Sequence, residues 1–433
     1  MHPALAMRAD LADRAALKAR FETARSQTEQ LAAPLEPEDC QVQTMVDVSP
    51  TKWHLAHTTW FFETFGALRF KAGYARPDDL YGYLYNSYYE ALGRKWSRPE
   101  RGLLSRPLLR EVMAYRSHVT ALVGDLIDTV SDNEWSELAP IVELGIHHEQ
   151  QHQELICTDI KHVLSRSPRP YAPYAPAPGA NGHGGAGPVS WIGFEGGLVE
   201  IGMDEDGFAY DNEYPRHKRY LYDFEIASRP VTNGEFRAFI EDGGYETAAL
   251  WLSDGWDFIQ RNGIEHPLYW RRQDDGSWLE YTLSGLKPLD EDEPVCHVSG
   301  YEAAAYAEWA GQRLPSEPEL ELLARAHPDR GALLFAGPGV HPHALNATAR
   351  PQCVIGGVWE WSSSAYEPYP GYSPPEGAVG EYNGKFMSSQ QVLRGGSAAT
   401  PQSHIRPTYR NFFPPGARWQ FSGIRLARKL APA

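Results

Sequence analysis

Cysteines, long apolar runs and an apolar N-terminal segment are all scarce or absent in this sequence. The four cysteines are far apart and form no CxxC pair, which argues against a disulfide framework and against a cysteine-based zinc site. The first 25 residues carry charges of both signs, so a signal peptide is not expected. No apolar run reaches about 18 residues, so no membrane-spanning helix is expected. These absences predict a cytoplasmic protein without a membrane partner.

Positive charge is also in short supply. The chain has 40 Lys and Arg against 56 Asp and Glu, which gives a formal net charge of −16. Nucleic acids and anionic membranes both select clustered positive charge, so neither is expected as a partner. The chain has 433 residues, of which 42% are hydrophobic. This length is too great for one compact core, and two or three domains are expected.

A segment rich in Pro, Gly and Ala divides the chain. Residues 165–190 contain almost no large aliphatic side chains, which is typical of a linker. It separates residues 1–164, where apolar residues recur at helical spacing, from residues 191–433. Four helices are predicted in the first part, over residues 10–31, from Ser49-Pro50 onward, over 107–130 and over 139–164. Helices of this length, joined by loops, predict a four-helix bundle.

The part after the linker has a different character. Short strand-like runs such as LVEIGM, YLYDFEIA, QVLRGGS and SGIRLAR alternate with loops rich in Gly and Pro. Two helical patterns occur, at Asn233–Asp242 and at Ser299–Ala310. No repeat of fixed period is present. We therefore expect an α+β domain in which loops predominate.

The clearest chemical pattern is the string HEQQH, which runs from His148 to His152. Histidines four positions apart on a helix leave the same face, so both imidazoles can reach one cation. The string also fits the HExxH pattern of zinc proteases. The extended form HExxHxxGxxH is absent, however, and the Pro-rich segment lies where a downstream Glu ligand would be needed. A protease is therefore disfavoured, and a metal site with a third ligand from elsewhere is favoured over two surface histidines.

An upstream histidine can supply the third ligand. His57 lies among aromatic residues on the helix that begins near Ser49-Pro50, and His54, one turn earlier, is a competing candidate. In a bundle this helix can face the one that carries His148 and His152. Three neutral imidazoles suit Fe(II), Zn or Cu, and the ligand types alone do not choose between these metals.

Several motifs, taken in order, resemble one known family. HLAHTTWFFE comes first, followed by YNSYYEALG, HHEQQHQE, GGVWEW, VLRGGS and RPTYRNFFPPGARWQFSGIRLAR. This order is similar to that of the ergothioneine-biosynthesis sulfoxide synthases of the EgtB type, over nearly the whole chain. The resemblance implies a multidomain fold of α and α+β type. It would join an N-terminal DinB-like four-helix bundle to a C-terminal domain of the formylglycine-generating-enzyme (sulfatase-modifying factor) fold, which is related to C-type lectins.

The resemblance also implies a metal and a reaction. The family uses non-haem Fe(II) and O2 to join a thiol sulfur to the imidazole C2 of hercynine, which is Nα-trimethylhistidine, and to oxidise that sulfur to a sulfoxide. Its three iron ligands correspond by motif to His57, His148 and His152. His54 and His147 fall outside the pattern. Such a set leaves three iron positions for imidazole, thiolate and O2, and the site is expected at the interface of the two domains.

Two groups of candidate residues follow from the same resemblance. Tyr88 and Tyr89, in YNSYYEALG, correspond to active-site tyrosines of one branch of the family, where a phenol would supply a proton near O2. The thiol substrate carries a carboxylate, which an Arg fork binds with two hydrogen bonds. Arg98 is the first candidate for this contact and Arg101 the second, with Asn411 as a polar partner.

Hercynine is the other substrate to be recognised. Its quaternary ammonium cannot donate a hydrogen bond, so ring faces and amide oxygens are suitable partners. Phe412 and Phe413 correspond to a substrate-facing pair of the family, and Gln151 to a position that contacts the same substrate. Cys296 and Cys353 do not match the reactive cysteines of formylglycine-generating enzymes, so that activity is not expected here.

Three alternatives stay open at the level of the sequence. A selenoneine-type synthase would couple a selenosugar to hercynine, and a 5-histidylcysteine sulfoxide synthase would use histidine and attack C5. A non-catalytic, lectin-like binding protein would use the same two domains without turnover. The sequence does not distinguish cysteine from γ-glutamylcysteine as the thiol donor, or sulfur from selenium.

Overall fold

Two units make up the structure, a computed structural model that describes residues 6–169, 171–176, 185–203, 207–348, 350–377, 380 and 383–429. The first unit contains the described residues within Met1–Pro168, Glu205–Asp211 and Ser373–Lys385. The second contains those within Arg169–Asp204, Asn212–Tyr372 and Phe386–Ala433. Two later segments therefore belong with the helical part of the chain. The domain boundaries proposed from the sequence, at 164 and 190, stay a prediction, and residues 170 and 177–184 of the proposed linker lie outside the described residues.

Helices build the first unit. They are α1 (Arg14–Ala32), α2 (Thr51–Phe62), α3 (Leu68–Phe70), α4 (Tyr81–Leu84), α5 (Leu109–Thr129) and α6 (Asp132–Ser165). A π-helical turn at Glu63–Ala67 joins α2 to α3. The four long helices pack as α1 with α6 and α2 with α5 and α6, which confirms the predicted bundle. Short 3-10 turns occupy parts of the connections.

The two helices that carry the histidine motifs lie close together. All twelve residues of α2 are buried, so no face of it is left to solvent. Gly145 of α6 makes the close approach possible, because a Cβ there would lie 2.3 Å from Cε1 of Phe62. Phe62 in turn packs edge-on against Phe21 of α1, with ring centroids 4.9 Å apart. The apolar core thereby fixes α2 against α6.

Helix starts depart from the sequence prediction at two places. The pair Ser49-Pro50 was expected to supply the cap and the first helical residue of α2, but Pro50 is the N-cap and Thr51 is the first helical residue. Ser49 instead donates its backbone N–H to Asp159. Helix α6 begins seven residues before the predicted 139, because Ser131 and Glu134 form a capping box. Pro140 lies inside this helix.

In the described residues of the second unit, short strands accompany four α-helices. The helices are α7 (Asn233–Glu241), α8 (Ser253–Asn262), α9 (Gly300–Trp309) and α10 (Glu317–Ala326). The strands are β1 (Trp191–Phe194), β2 (Gly197–Ile201), β3 (His217–Leu221), β4 (Phe224–Ala227), β5 (Trp270–Arg272), β6 (Trp278–Thr282), β7 (Gly285–Pro288), β8 (Trp359–Ala365), β9 (Gln391–Arg394), β10 (Asn411–Phe413), β11 (Ser422–Gly423) and β12 (Ala427–Lys429). The content confirms the α+β prediction, but α8 and α10 were not predicted.

The described strands form four small sheets. Their strand orders are β1-β4-β12, β10-β9-β8-β11, β2-β3 and β5-β6-β7. All neighbouring strands are antiparallel except β11 and β8. In the four-stranded sheet Phe412 pairs with Val392 and Asn411 with Leu393. This register places the candidate Asn-Phe-Phe segment on an edge strand.

Candidate metal centre

Three buried histidines of the first unit converge on one point. His57 comes from α2, and His148 and His152 come from successive turns of α6. Each offers one ring nitrogen, and these three nitrogens all lie within 4.8 Å of one another. Nε2 of His57 lies 3.1 Å from Nε2 of His148. The side chains form a set that could hold one metal ion.

The orientation of His57 is fixed by its neighbours. Its Nδ1 lies 2.6 Å from the carbonyl oxygen of Tyr85. A carbonyl only accepts, so Nδ1 carries the proton and Nε2 has its lone pair toward the cluster. The ring is stacked between Trp53, at 4.6 Å, and Trp60, at 5.6 Å. Hydrogen bonding and stacking together prepare this imidazole as a metal ligand.

His54, the competing candidate from the sequence, is not a member of the three-histidine group. Its Nδ1 lies 2.8 Å from Nδ1 of His152, and its Nε2 lies 3.0 Å from Oδ2 of Asp159. Both ring nitrogens are thus engaged with neighbouring side chains. His54 therefore contacts His152 of the three-histidine group, through Nδ1 of each ring.

The protonation state of the cluster suits a metal. Burial is the largest cause that lowers the pKa of His57 and of His152 well below the usual value, and the neighbouring histidines lower it further. Burial also lowers the pKa of His148 to about 4. The three rings are therefore neutral at pH 7, and neutral imidazole is the form that binds a metal. Three nitrogen donors without a carboxylate fit Fe(II), Zn or Cu.

Glu149, the Glu of the HExxH string, is engaged by side chains of two other helices. Its carboxylate accepts hydrogen bonds from Arg25, at 2.8 Å, from Arg116 and from the hydroxyl of Thr28, at 2.7 Å. Burial acts to raise its pKa, but the two guanidiniums outweigh burial and hold it below the usual value. A zinc protease needs this Glu beside the metal-bound water. In this chain the side chain instead joins three helices of the bundle.

Tyr88 and Tyr89 lie in the connection after α4 and differ in their surroundings. Tyr89 is buried, and its ring packs against Trp60 and Phe65 with centroids 5.6 and 5.4 Å apart. Trp60 also stacks on His57, so the ring of Trp60 contacts both Tyr89 and a member of the histidine cluster. Tyr88 is half-buried, and its hydroxyl lies 3.4 Å from Nη1 of Arg98. Its carbonyl oxygen accepts a hydrogen bond from Lys385 of the same unit.

Arg101 is a buried cation beside the cluster. It donates to the hydroxyls of Ser49 and Ser87, both at 2.9 Å. Its guanidinium lies over the ring of Trp53, 3.4 Å from the centroid, and Trp53 stacks on His57. Burial lowers its pKa to about 9. Within the described ranges no carboxylate forms an ion pair with Arg101, although the charge of Asp159 acts on it from a greater distance.

The other predicted contacts lie on α6, in the loop before α5 and on β10. Gln151 is half-buried and directly precedes His152. Arg98 donates to the carbonyl oxygen of Asp47 at 2.7 Å. In the second unit, Phe412 is stacked on Tyr366, with centroids 4.0 Å apart. Phe413 meets Trp419 edge-on at 5.7 Å.

The strand geometry separates the two candidate phenylalanines. Successive side chains of a β-strand point to opposite faces, so Phe412 and Phe413 of β10 face opposite ways. Asn411 shares a face with Phe413, and its Oδ1 accepts the N–H of Phe412 at 2.9 Å. One bound trimethylammonium group would therefore meet one of the two rings and not a cage made by both.

Comparison with known proteins matches both parts of the chain. Residues 20–156 match the DinB superfamily, and residues 189–344 and 353–430 match the sulfatase-modifying factor enzyme 1-like domain. A hercynine oxygenase of Mycolicibacterium thermoresistibile is 31% identical over 96% of this chain and 95% of its own. The chain belongs to the hercynine oxygenase family. This membership confirms the family resemblance and indicates an oxidoreductase.

Two further relatives of this hercynine oxygenase family member carry related names. A hercynine oxygenase of Mycolicibacterium smegmatis is 32% identical over 74% of this chain and 79% of its own. Ergothioneine biosynthesis protein 1 of Schizosaccharomyces pombe is 30% identical over 51% of this chain and 28% of its own. None of the helices in the described ranges has the length and apolar character needed to cross a bilayer.

A second group with metal-ligating side chains occurs in the other unit of this family member. Glu280, Glu293 and His341 are buried and their ligand atoms lie within 4.8 Å of one another. Lys287, however, lies 2.6 Å from both carboxylate oxygens of Glu293. Its ammonium occupies the place where a cation would bind Glu293. The ion pair with Lys287 therefore accounts for the buried carboxylate of Glu293 without a metal ion.

Several residues around the cluster were not predicted as partners. They are Asp159, the carbonyl of Tyr85, the stacking rings Trp53 and Trp60, and the hydroxyls of Ser49 and Ser87. Asp159 follows His152 by seven positions, which is two helical turns, so a search for polar residues on that face would have found it. The carbonyl of Tyr85 leaves no signal in the sequence, because every residue has one.

Proposed function

We propose that this protein is a non-haem iron(II) oxygenase that joins hercynine to a thiol and forms a sulfoxide. The thiol is cysteine or γ-glutamylcysteine. The observation that carries the proposal is the buried group of His57, His148 and His152, in a chain that belongs to the hercynine oxygenase family. The overall change balances: a thiol, an imidazole C–H and one O2 give a sulfoxide and one water.

The metal would be held by the three histidines alone. Bound Fe(II) would activate O2 and collect the thiolate and the imidazole in one place. His57 presents Nε2 because the carbonyl of Tyr85 holds its Nδ1–H. Low histidine pKa values mean that no proton has to be displaced at pH 7. Three protein ligands would leave open positions for the reactants.

The chain also offers a proton donor and a cation for the reactants. A phenol of Tyr88 or Tyr89 would deliver the proton that directs oxygen chemistry toward C–S bond formation. Arg101, a buried cation that donates to two hydroxyls and lies over Trp53, suits the carboxylate of the thiol. Arg98 is the other candidate for that carboxylate. It holds the hydroxyl of Tyr88 at 3.4 Å, so thiol binding and the phenol would be linked.

Gln151 of the helical unit and the Asn411–Phe413 segment of the second unit are separate candidates for recognition of hercynine. Gln151 directly precedes the proposed ligand His152 on α6. A ring face toward a trimethylammonium group contributes about 0.5–2 kcal/mol. Because Phe412 and Phe413 face opposite ways, we expect only one of them to make that contact.

The test is a mass-spectrometric assay of the purified chain with Fe(II), O2, hercynine and each donor in turn. We expect sulfoxide from cysteine or γ-glutamylcysteine. Product from a selenosugar alone would favour a selenoneine-type synthase, and product from histidine would favour a 5-histidylcysteine sulfoxide synthase. No turnover with any donor would favour a binding protein.

Iron content tests the ligand set separately. Replacement of His57, His148 or His152 by Ala should remove most of the iron and all turnover, since two nitrogens remain. The exposed His118 of α5 is the matched control, and His118→Ala should bind iron as the wild type does. Full iron occupancy in His57→Ala would remove that residue from the ligand set.

A further inference from the structure

The side chains behind His152 form a buried chain of hydrogen-bonding groups. Nδ1 of His152 lies 2.8 Å from Nδ1 of His54. Nε2 of His54 lies 3.0 Å from Oδ2 of Asp159. The exposed fractions of the three residues are small, at 8% for His152, 2% for His54 and 2% for Asp159. Water is therefore a poor substitute for any of these contacts.

The direction of each hydrogen bond follows from one fixed end. An ionised carboxylate only accepts, so Nε2 of His54 must donate to Asp159. A neutral His54 then has a lone pair on Nδ1, which accepts from Nδ1–H of His152. His152 is thereby left with its lone pair on Nε2. The carboxylate thus selects, through one intervening ring, which nitrogen of His152 is available to a metal.

Asp159 is itself held in place. Its Oδ2 accepts the backbone N–H of Ser49 at 2.8 Å, and its Oδ1 accepts the hydroxyl of Thr158 at 3.2 Å. Ser49 directly precedes the start of α2, which carries His54 and His57. The same carboxylate therefore ties the beginning of α2 to the end of α6. Both helices that carry the histidine cluster are joined by it.

The three cluster histidines differ in the hydrogen bonds that orient their rings. His57 has the carbonyl of Tyr85 behind it, and His152 has His54 and Asp159. Nδ1 of His148 has no hydrogen-bond partner in the described part of the chain. Two of the three rings are thus oriented by an acceptor, and only His152 depends on an ionisable pair.

We propose that His54 and Asp159 are positioning residues that fix the tautomer and direction of His152 as a metal ligand. This inference rests on the proposed function, because it takes His57, His148 and His152 as the ligands. It assigns His54 no direct contact with the metal. Loss of such an outer partner lowers metal affinity about 10- to 100-fold in other proteins, and we expect that range here.

Four variants test the pair. His54→Phe keeps a ring of similar size but removes both nitrogens. Asp159→Asn keeps the shape but no longer fixes the direction of the hydrogen bonds. His54→Gln keeps one donor and one acceptor and serves as the conservative rescue. His162→Phe is the matched control, because His162 is a buried histidine near the end of α6 whose ring hydrogen-bonds Thr44, at 2.6 Å, and is outside the three-histidine group.

Two measurements are made on each full-length variant after circular dichroism has confirmed helix content. The first is the affinity for Fe(II), by anaerobic competition with a chelator. The second is proton NMR of the cobalt(II)-loaded protein, in which ring N–H protons of bound histidines give exchangeable signals far downfield. We expect His54→Phe and Asp159→Asn to weaken Fe(II) binding and to move one of these signals. His54→Gln should lose less affinity, and His162→Phe should match the wild type.

The outcomes separate this inference from the proposed function. If the wild type binds Fe(II) tightly, His57→Ala does not, and His54→Phe and Asp159→Asn bind as the wild type does, the positioning role is wrong and the ligand set stands. Equal loss of affinity in His162→Phe would also overturn it, because burial alone would explain the effect. If His57→Ala keeps its iron, the proposed ligand set fails first.

Discussion

The two adjacent tyrosines show how differently neighbouring residues can be placed at a site. The hydroxyl of Tyr88 lies beside the guanidinium of Arg98, whereas the ring of Tyr89 is packed between Trp60 and Phe65. One phenol thus has a polar neighbour, and the other lies among apolar rings.

This contrast leads to a prediction about product distribution. We expect Tyr88→Phe and Tyr89→Phe to keep iron and both substrates bound, because the rings remain. At least one variant should lose sulfoxide and divert some turnover to a sulfinic acid of the thiol, since the missing hydroxyl would have supplied the proton. Mass spectrometry of both products measures this ratio.

Tyr83→Phe is the control, because it removes a hydroxyl from a ring that packs against Trp96. Wild-type sulfoxide formation in both single variants and in the double variant would exclude the pair as the proton source. Tyr366, Tyr369 and Tyr409 of the second unit would then be the next candidates.

Single residues also show how far the sequence can be interpreted. The i, i+4 pair in HEQQH is visible without a structure, since helical spacing alone places both rings on one face. The choice between His54 and His57 is not, because both lie on buried α2 and differ only in which way each ring faces. That direction depends on the carbonyl of Tyr85 and on Asp159, about 30 and 100 residues along the chain from them.

At the scale of elements, the same HExxH string serves two purposes on adjacent faces of α6. One face presents histidines to the metal cluster, and the other presents Glu149 to Arg25 of α1 and Arg116 of α5. The ion pairs are fully buried. A buried charge that loses its partner is strongly destabilising, by about 3–5 kcal/mol.

We therefore predict that Glu149→Gln lowers the free energy of unfolding of the helical unit by about 3–5 kcal/mol. Urea denaturation followed by far-ultraviolet circular dichroism measures the change. Glu137→Gln, on the exposed surface of the same helix, should change it by less than about 1 kcal/mol. A Glu149→Gln variant that is stable but has lost turnover would instead indicate that Glu149 has a catalytic role.

The stability of the helical unit in acid should depend on His162. Burial lowers the pKa of His162, near the end of α6, to about 4, whereas an unfolded chain has the ordinary value of 6.5. Below pH 6.5 the unfolded state therefore binds a proton that the folded state does not. The stability that the neutral ring contributes is complete above pH 6.5 and is lost as the pH falls toward 4.

His162→Gln should consequently reduce the loss of unfolding free energy between pH 7 and pH 5 by about 2 kcal/mol, as the difference of these two pKa values requires. Urea denaturation at both pH values, with a chelator present, measures the slope. His118→Gln is the control, since that ring is exposed. An unchanged slope in His162→Gln would mean that its ring is protonated in the folded state.

Elements of the second unit were harder to predict than the bundle. Helices α8 and α10 each have ten residues and lie among Trp-, Gly- and Pro-rich loops. Their stability comes from packing, since isolated helices of this length are marginal in water. Strand β10 has only three residues, so its alternation, which separates Phe412 from Phe413, gives no periodic signal.

At the scale of the whole molecule, every proposed metal ligand comes from the first unit. The segments of that unit from beyond residue 200 contribute no ligand to the described cluster. A metal ion bound by these histidines would therefore stabilise α2 and α6 directly. Among the described residues, the strands of the second unit contribute no ligand to the histidine cluster.

This division predicts a local pattern of hydrogen exchange. Addition of Fe(II) under anaerobic conditions should slow amide exchange in Thr51–Phe62 and in Asp132–Ser165, because local opening of either helix would have to release the ion. Peptides from Trp359–Ala365 and Gln391–Arg394 should exchange at the same rate with and without the metal. Mass spectrometry of proteolytic peptides resolves both regions in one experiment. His57→Ala should abolish the protection, and equal protection of the sheet peptides would show that the ion is not held by the helical unit alone.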